Sequence, residues 1–278
     1  MLEHITRAMY YFQVHLLYAS GVAVAAWVLT SFRRGSATIK YWIWVGTALN
    51  FILPIGAIVD KLWSSQLAWA TPLSFVGDAA AGVTQNRFAP LLFALWLAGA
   101  ILMFARLWVR LRNERRHTIP QEVGTASPKF FAHGVPVEFT DAGRAPAVDG
   151  VLHPHISLPL GIDQLLSEDE LNAVLVHEVT HARRRDNLIR LIYEFVLCVL
   201  WFHPLVWLTG SRLALYRELS CDEPVIRSAH GKDLLSALAK LANPEHVFLL
   251  QASASSFLSH RLARLGAPFQ PTLGRTSF

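Results

Sequence analysis

Ser167-Glu168-Asp169-Glu170-Leu171-Asn172-Ala173-Val174-Leu175-Val176-His177-Glu178-Val179-Thr180-His181 reads as a helix with a marked start. Ser167 followed three residues later by Glu170 is a capping box, and an apolar-periodic run begins at Leu171. On a helix, residues four apart stack on one face, so His177 and His181 project together about one turn apart. Two imidazoles held that way can share a tetrahedral zinc ion at roughly 2.0–2.1 Å. Glu178 stands on the adjoining face, within reach of a water on that ion, which is the general-base arrangement of a zinc peptidase.

Such a short pattern also arises by chance in a histidine-rich chain, so the surroundings matter. Downstream, Glu218-Leu219-Ser220-Cys221-Asp222 again puts two carboxylates four residues apart on one helix face. Glu218 suits the third ligand of a two-histidine, one-carboxylate site with an open fourth position. Asp222 then suits the role of holding a ligand histidine by its other ring nitrogen. The competing reading makes Glu218 and Asp222 a solvated face paired with Arg217 or Arg212.

Composition places this chemistry beside a membrane. The 278-residue chain is 53% hydrophobic and 16% charged, with nine tryptophans, too apolar for an ordinary soluble domain. Three segments are long enough to cross a bilayer: about 9–30, about 41–59 and about 90–109. Tyr10, Tyr11, Trp27, Tyr41, Trp42 and Trp108 sit near their ends, as interfacial aromatics do. Arg33 and Arg34, rather than a small-residue cleavage site, follow the first, which argues against a signal peptide.

Charge then orients the chain. Arg33, Arg34 and Lys40 lie in the first loop without an acid, and 60–87 is nearly balanced. Arg106, Arg110, Arg112, Arg115 and Arg116 face only Glu114 after the third segment. The positive-inside rule therefore puts the amino terminus outside and everything after the third segment in the cytoplasm. These arginines account for most of the net charge of +5, so no nucleic-acid partner is called for. Cys198 and Cys221 form no disulfide framework.

The expected organisation is a three-span region over 1–112, a cytoplasmic domain over 113–265 and a flexible tail over 266–278. Prolines and glycines between His117 and Gly161, with extended runs at Val135–Thr140 and His155–Leu158, point to a small sheet against the motif helix. Ile156, Ser157 and Leu158 are the candidate substrate-binding edge strand, since main-chain pairing tolerates any sequence, with an ordinary core strand the competing reading. The run from Leu188 to Leu208 looks like a fourth span. A single crossing of roughly 30 Å would part Glu218 from His177 and His181, so either Glu218 is not the ligand or the segment returns, and a helical hairpin over about 188–226, broken at Pro204, is the favoured reading.

The segment from Pro146 to Asp222 resembles the BlaR/MecR family of membrane metallopeptidases. The matching residues are Pro146, Gly150, Pro154, Ile156 and Pro159, then His177, Glu178 and His181, then Arg184 and Asp186. Trp201-Phe202-His203-Pro204-Leu205 and Trp207 follow, with Glu218, Leu219, Cys221, Asp222 and Glu223. The resemblance implies an α-helical membrane protein with a cytoplasmic α+β, zincin-like metallopeptidase domain in a bacterial inner membrane. It implies Zn2+, with His177, His181 and Glu218 as ligands, Glu178 as catalytic base, and Asp222 and Asp186 behind the histidines. A protein substrate follows, a transcriptional repressor or the chain itself in the 110–125 loop. Signalling is the expected role, ahead of membrane-protein quality control or a non-catalytic zinc-stabilised sensor. The chain departs from the family at Pro224, where a bend after the site is expected. It has no Ser-x-x-Lys sequence, so no β-lactam binding is expected of it.

Overall fold

The computed structural model describes residues 2–32, 35–53, 89–117, 130–140 and 145–241, together with Arg261 and Leu265. The second loop, the end of the second expected span (54–59), residues 118–129 of the basic loop and the 266–278 tail lie outside the described residues. The described chain falls into two compact units.

The first unit comprises residues 1–35, 39–114 and 190–214. Its long helices are α1 (Leu2–Phe32) and α3 (Ala89–His117), with α2 (Ala37–Asn50) between them. Phe12–Ser31 and Pro90–Asn113 are long and apolar enough to cross a membrane. On α3, Leu91, Phe93, Leu95, Ile101, Leu102 and Trp108 are 60–69% exposed, an apolar surface of the kind that marks a membrane or protein contact. Of the second expected span, residues 41–50 lie in α2 and 51–53 turn away from it.

The Leu188–Leu208 run is broken as its proline suggests. Helix α6 (Asp186–Val199) ends in a turn, and α7 (Pro204–Arg227) starts with Pro204 in the first helical position, where its missing N–H costs nothing. In the first unit the two helices pack closely: the Tyr193 hydroxyl donates to the Val206 carbonyl at 2.9 Å, and its ring occupies the space a side chain at Gly210 would need. Val196, Leu200 and Val206 of this hairpin join Ala19, Ala23 and Phe51 in one apolar cluster. Ser20 Oγ lies 3.1 Å from His203 Nε2, so His203 serves the packing of the turn.

The second unit comprises residues 36–38, 115–189 and 215–278. It contains a four-stranded sheet of β1 (Phe130–Ala132), β2 (Val135–Thr140), β3 (Ala147–Asp149) and β4 (His155–Pro159), in the order β1-β2-β4-β3. β2 and β4 are parallel, with Val137 opposite Ile156, and the outer pairs are antiparallel. Short helix α4 (Ile162–Leu165) leads into α5 (Glu168–Arg184), which carries the motif, and α8 (Gly231–Leu241) packs on α5. Val137, Ile156, Leu158, Ala173, Val174, Leu234 and Ala237 are the centre of the core they share.

The position of β4 corrects the substrate-strand expectation. Ile156 and Ser157 pair with β2 on one side and β3 on the other, Leu158 pairs with β2, and all three are at most 2% exposed, so β4 lies inside the sheet rather than at its edge. The Ser157 hydroxyl is spent on Asp149 Oδ2 at 2.6 Å. Sequence read an extended apolar run correctly but could not tell a central strand from an edge strand.

The start of α5 matches its sequence. Ser167 Oγ accepts from the Glu170 N–H, and Glu170 accepts from the Ser167 N–H at 2.8 Å. Glu170 also takes Lys240 Nζ and Ser236 Oγ, each at 2.6 Å, tying α5 to α8. Burial opposes the charged carboxylate, but these donors outweigh it and hold its pKa down at about 2. Glu170→Ala is therefore expected to lower stability by roughly 1–2 kcal/mol at neutral pH. Because the folded pKa lies below the ordinary 4.5, this contribution is complete above the ordinary value and fades as pH falls through about 2. Thermal unfolding of both proteins at neutral pH and at about pH 3 checks this: the gap should narrow in acid, and a constant gap contradicts it.

Candidate metal centre

Both histidines of the motif sit on the last two turns of α5, four residues apart, with ring centroids 4.8 Å apart. Their Nε2 atoms are 3.1 Å from each other. Glu218, on α7, brings Oε2 to 3.8 Å from His177 Nε2 and 3.9 Å from His181 Nε2. The hairpin returns the chain, and the three residues offer their donor atoms within 4.8 Å of one another. A tetrahedral ion bound at roughly 2.0–2.1 Å would set its ligand atoms about 3.3 Å apart, so two imidazole nitrogens and one carboxylate oxygen fit a metal here with small adjustments.

Each imidazole is backed by a carboxylate. His177 Nδ1 lies 3.0 Å from Asp222 Oδ1, and His181 Nδ1 lies 2.7 Å from Asp186 Oδ2. An acceptor on the far nitrogen fixes ring orientation and leaves Nε2 facing the centre. Asp222 reaches His177 because it is one helical turn beyond Glu218. Asp186 reaches His181 because α5 stops at Arg185, whose left-handed φ of 55° reorients the chain within one residue.

Behind each carboxylate stands an arginine. Arg184 holds Asp186 through Nε at 3.1 Å and Nη2 at 2.5 Å, and its Nη1 reaches Ser220 Oγ at 2.5 Å. Arg261 holds Asp222 through Nε at 3.1 Å and Nη2 at 2.8 Å. A third arginine, Arg217, takes Glu218 Oε1 at 3.0 Å. The competing reading of Glu218 is thus half right: one oxygen pairs with Arg217, while the other faces the histidines. Pro224 lies within α7, which continues to Arg227.

These pairings set the charges. Burial opposes ionisation of Glu218, yet Arg217, the two histidines and Arg261 together hold it well below the usual carboxylate range. Asp186 is held at about 2 and Asp222 is also lowered, each against the pull of burial, by its histidine and its arginine. Burial and Arg261 disfavour a proton on His177, but Asp222 and Glu218 prevail and push it up to about 9. Burial pushes the Cys221 thiol well up, as befits a neutral packed side chain, although His181, Asp186 and Cys221 also cluster closely. Glu178 is half-buried beside His177, and its charge acts on Arg261.

Sequence reasoning missed Arg261. It lies 39 residues beyond Asp222, in no recognisable motif, and the signal available was an arginine set among Leu258, Leu262 and Leu265 at helical spacing.

The chain belongs to the family described as BlaR1 peptidase M56, a metallopeptidase family whose model matches residues 11–265. It is 30% identical over 157 residues to the regulatory protein BlaR1 of Bacillus licheniformis, which covers 50% of this chain and 25% of that protein. It is 20% identical over 99 residues to the methicillin resistance mecR1 proteins of Staphylococcus aureus and Staphylococcus epidermidis, covering 36% of this chain and 17% of each. The matched part thus spans a quarter or less of the length of these relatives.

Asp186→Ala would remove the buried carboxylate that His181 Nδ1 shares with Nε and Nη2 of Arg184. A loss of about 3 kcal/mol or more is expected in metal-free protein. Denaturant unfolding in the presence of a chelator measures it, and a loss under about 1 kcal/mol contradicts the role given to this pair.

Proposed function

We propose that this chain is a membrane-embedded zinc metalloendopeptidase with a zincin-like site, which cuts a cytoplasmic or juxtamembrane protein segment in regulatory signal transduction. The convergence of His177 Nε2, His181 Nε2 and Glu218 Oε2, at 3.1–3.9 Å from one another and next to Glu178, carries this reading. A purely structural zinc site closes all four positions with protein ligands and has no use for a neighbouring base.

In this reading His177, His181 and Glu218 would hold the ion. Zinc there supplies Lewis acidity toward a water molecule and the scissile carbonyl. Glu178 takes the proton of the attacking water and hands it to the departing amine. Asp222 and Asp186 keep Nδ1 of each ring engaged, so both Nε2 lone pairs stay turned inward.

Membrane placement rests on the two long apolar helices and on arginine distribution. The amino terminus and the 60–87 loop face outward, and the peptidase unit faces the cytoplasm of a bacterial inner membrane. Helix α6, at 14 residues, is about 21 Å long, short of the roughly 30 Å of hydrocarbon, so the hairpin dips into the bilayer and returns. A repressor as substrate suits the regulatory role named for the Bacillus relative.

Zinc content and cleavage of the detergent-solubilised protein, with a co-expressed repressor or the chain itself as substrate, test the reading. Glu178→Gln is expected to keep zinc and lose at least about a hundredfold in cleavage. Glu218→Ala is expected to lose zinc. Cleavage by Glu178→Gln at the wild-type rate, or wild-type zinc affinity in Glu218→Ala, contradicts it.

A further inference from the structure

The two imidazoles are held by the same device twice: histidine, carboxylate, arginine. In the His181–Asp186–Arg184 series all three residues lie within six positions of one another around the end of α5, so local chain geometry assembles it. In the His177–Asp222–Arg261 series the three come from distant parts of the chain. Asp222 is fully buried and Arg261 is 7% exposed. A guanidinium is placed in such surroundings only where its donors are used, and here Nε and Nη2 bracket both oxygens of Asp222. The same group reaches further: Nη1 lies 3.6 Å from Glu218 Oε2 and Nη2 lies 3.5 Å from His177 Nε2. One planar fork therefore touches a proposed ligand carboxylate, a proposed ligand imidazole and the acid that orients that imidazole.

We infer that Arg261 is a positioning residue for the metal centre: its fork fixes the rotamer of Asp222, and through it the ring of His177, while its remaining nitrogen confines Glu218 Oε2 to the side facing the histidines. This rests on the zinc reading above. Without the fork, Asp222 keeps only His177 Nδ1 on one oxygen, and Glu218 and Asp222, one turn apart on α7, repel each other without the charge that stands between them. The site would then have to be ordered by the metal itself, and affinity would fall accordingly. Lysine cannot replace it fully, because a single ammonium is a point charge and does not bracket two carboxylate oxygens.

Zinc affinity, measured by chelator competition on the full chain in detergent, tests the inference, with the visible spectrum of the cobalt-substituted protein reporting ligand geometry. Arg261→Met is expected to bind zinc roughly 10–100-fold more weakly than wild type. Arg261→Lys, which keeps the buried charge and with it the fold, is expected to fall between the two and to show an altered cobalt spectrum. Asp222→Asn combined with Arg261→Met should bind no more weakly than the worse single variant, since the two act as one unit. Unchanged zinc affinity and an unchanged cobalt spectrum in Arg261→Lys and Arg261→Met, or full additivity with Asp222→Asn, overturn the inference while leaving the zinc reading intact. Failure of the wild type to bind zinc overturns both.

Discussion

Two imidazoles and three carboxylates crowded out of water are sustainable only because arginine stands behind every acid. Glu218, Asp222 and Asp186 carry like charges in a space where each is starved of solvent, and removing them from water costs several kcal/mol per ion. Arg217, Arg261 and Arg184 offset that cost, each hydrogen-bonded to a different one of these carboxylates. The division of labour on Glu218 follows from this: Arg217 engages Oε1, and Oε2 is left turned toward the histidines. Without that arrangement the same residues would be a repelling cluster rather than a site.

The second constraint is the reversal of the chain between α6 and α7. The residues of the motif and Glu218 are separated by a run as apolar as a membrane span, and only a return can place them at one point. Pro204 starts α7 and so fixes where the return occurs, while Gly210 lets Tyr193 lie against it. Within the second unit, Glu223 accepts from the N–H groups of Ala37 and Thr38 and from Ser36 Oγ at 2.5–3.3 Å. Glu223 thereby satisfies the amides of Ala37 and Thr38, which would otherwise lack an acceptor.

What sequence could tell tracks how local the cause was. The capping box, the face shared by His177 and His181, and the break at Pro204 are dictated within a few residues, and the structure has all of them. The long-range pairing of Glu218 with the histidines was readable because the motif demanded a third ligand and few carboxylates were on offer. The environment of β4 was not readable, because a buried apolar run looks alike at the edge and in the middle of a sheet. Arg261 was not readable either, since nothing in its neighbourhood marks an arginine turned inward. The Arg217 pairing and the metal reading of Glu218 looked like rivals in sequence, and only atomic positions reveal that the two oxygens serve both.

The nature of the ligand atoms is the point on which everything else turns, and X-ray absorption at the zinc edge of the zinc-loaded protein addresses it directly. A nearest shell of nitrogen and oxygen only, at roughly 2.0–2.1 Å, with the outer scattering of two imidazoles, is expected. A sulfur neighbour at about 2.3 Å would mean that Cys221, with His181 and Asp186, holds the ion instead. That result would remove Glu218 and His177 from the site and contradict the account.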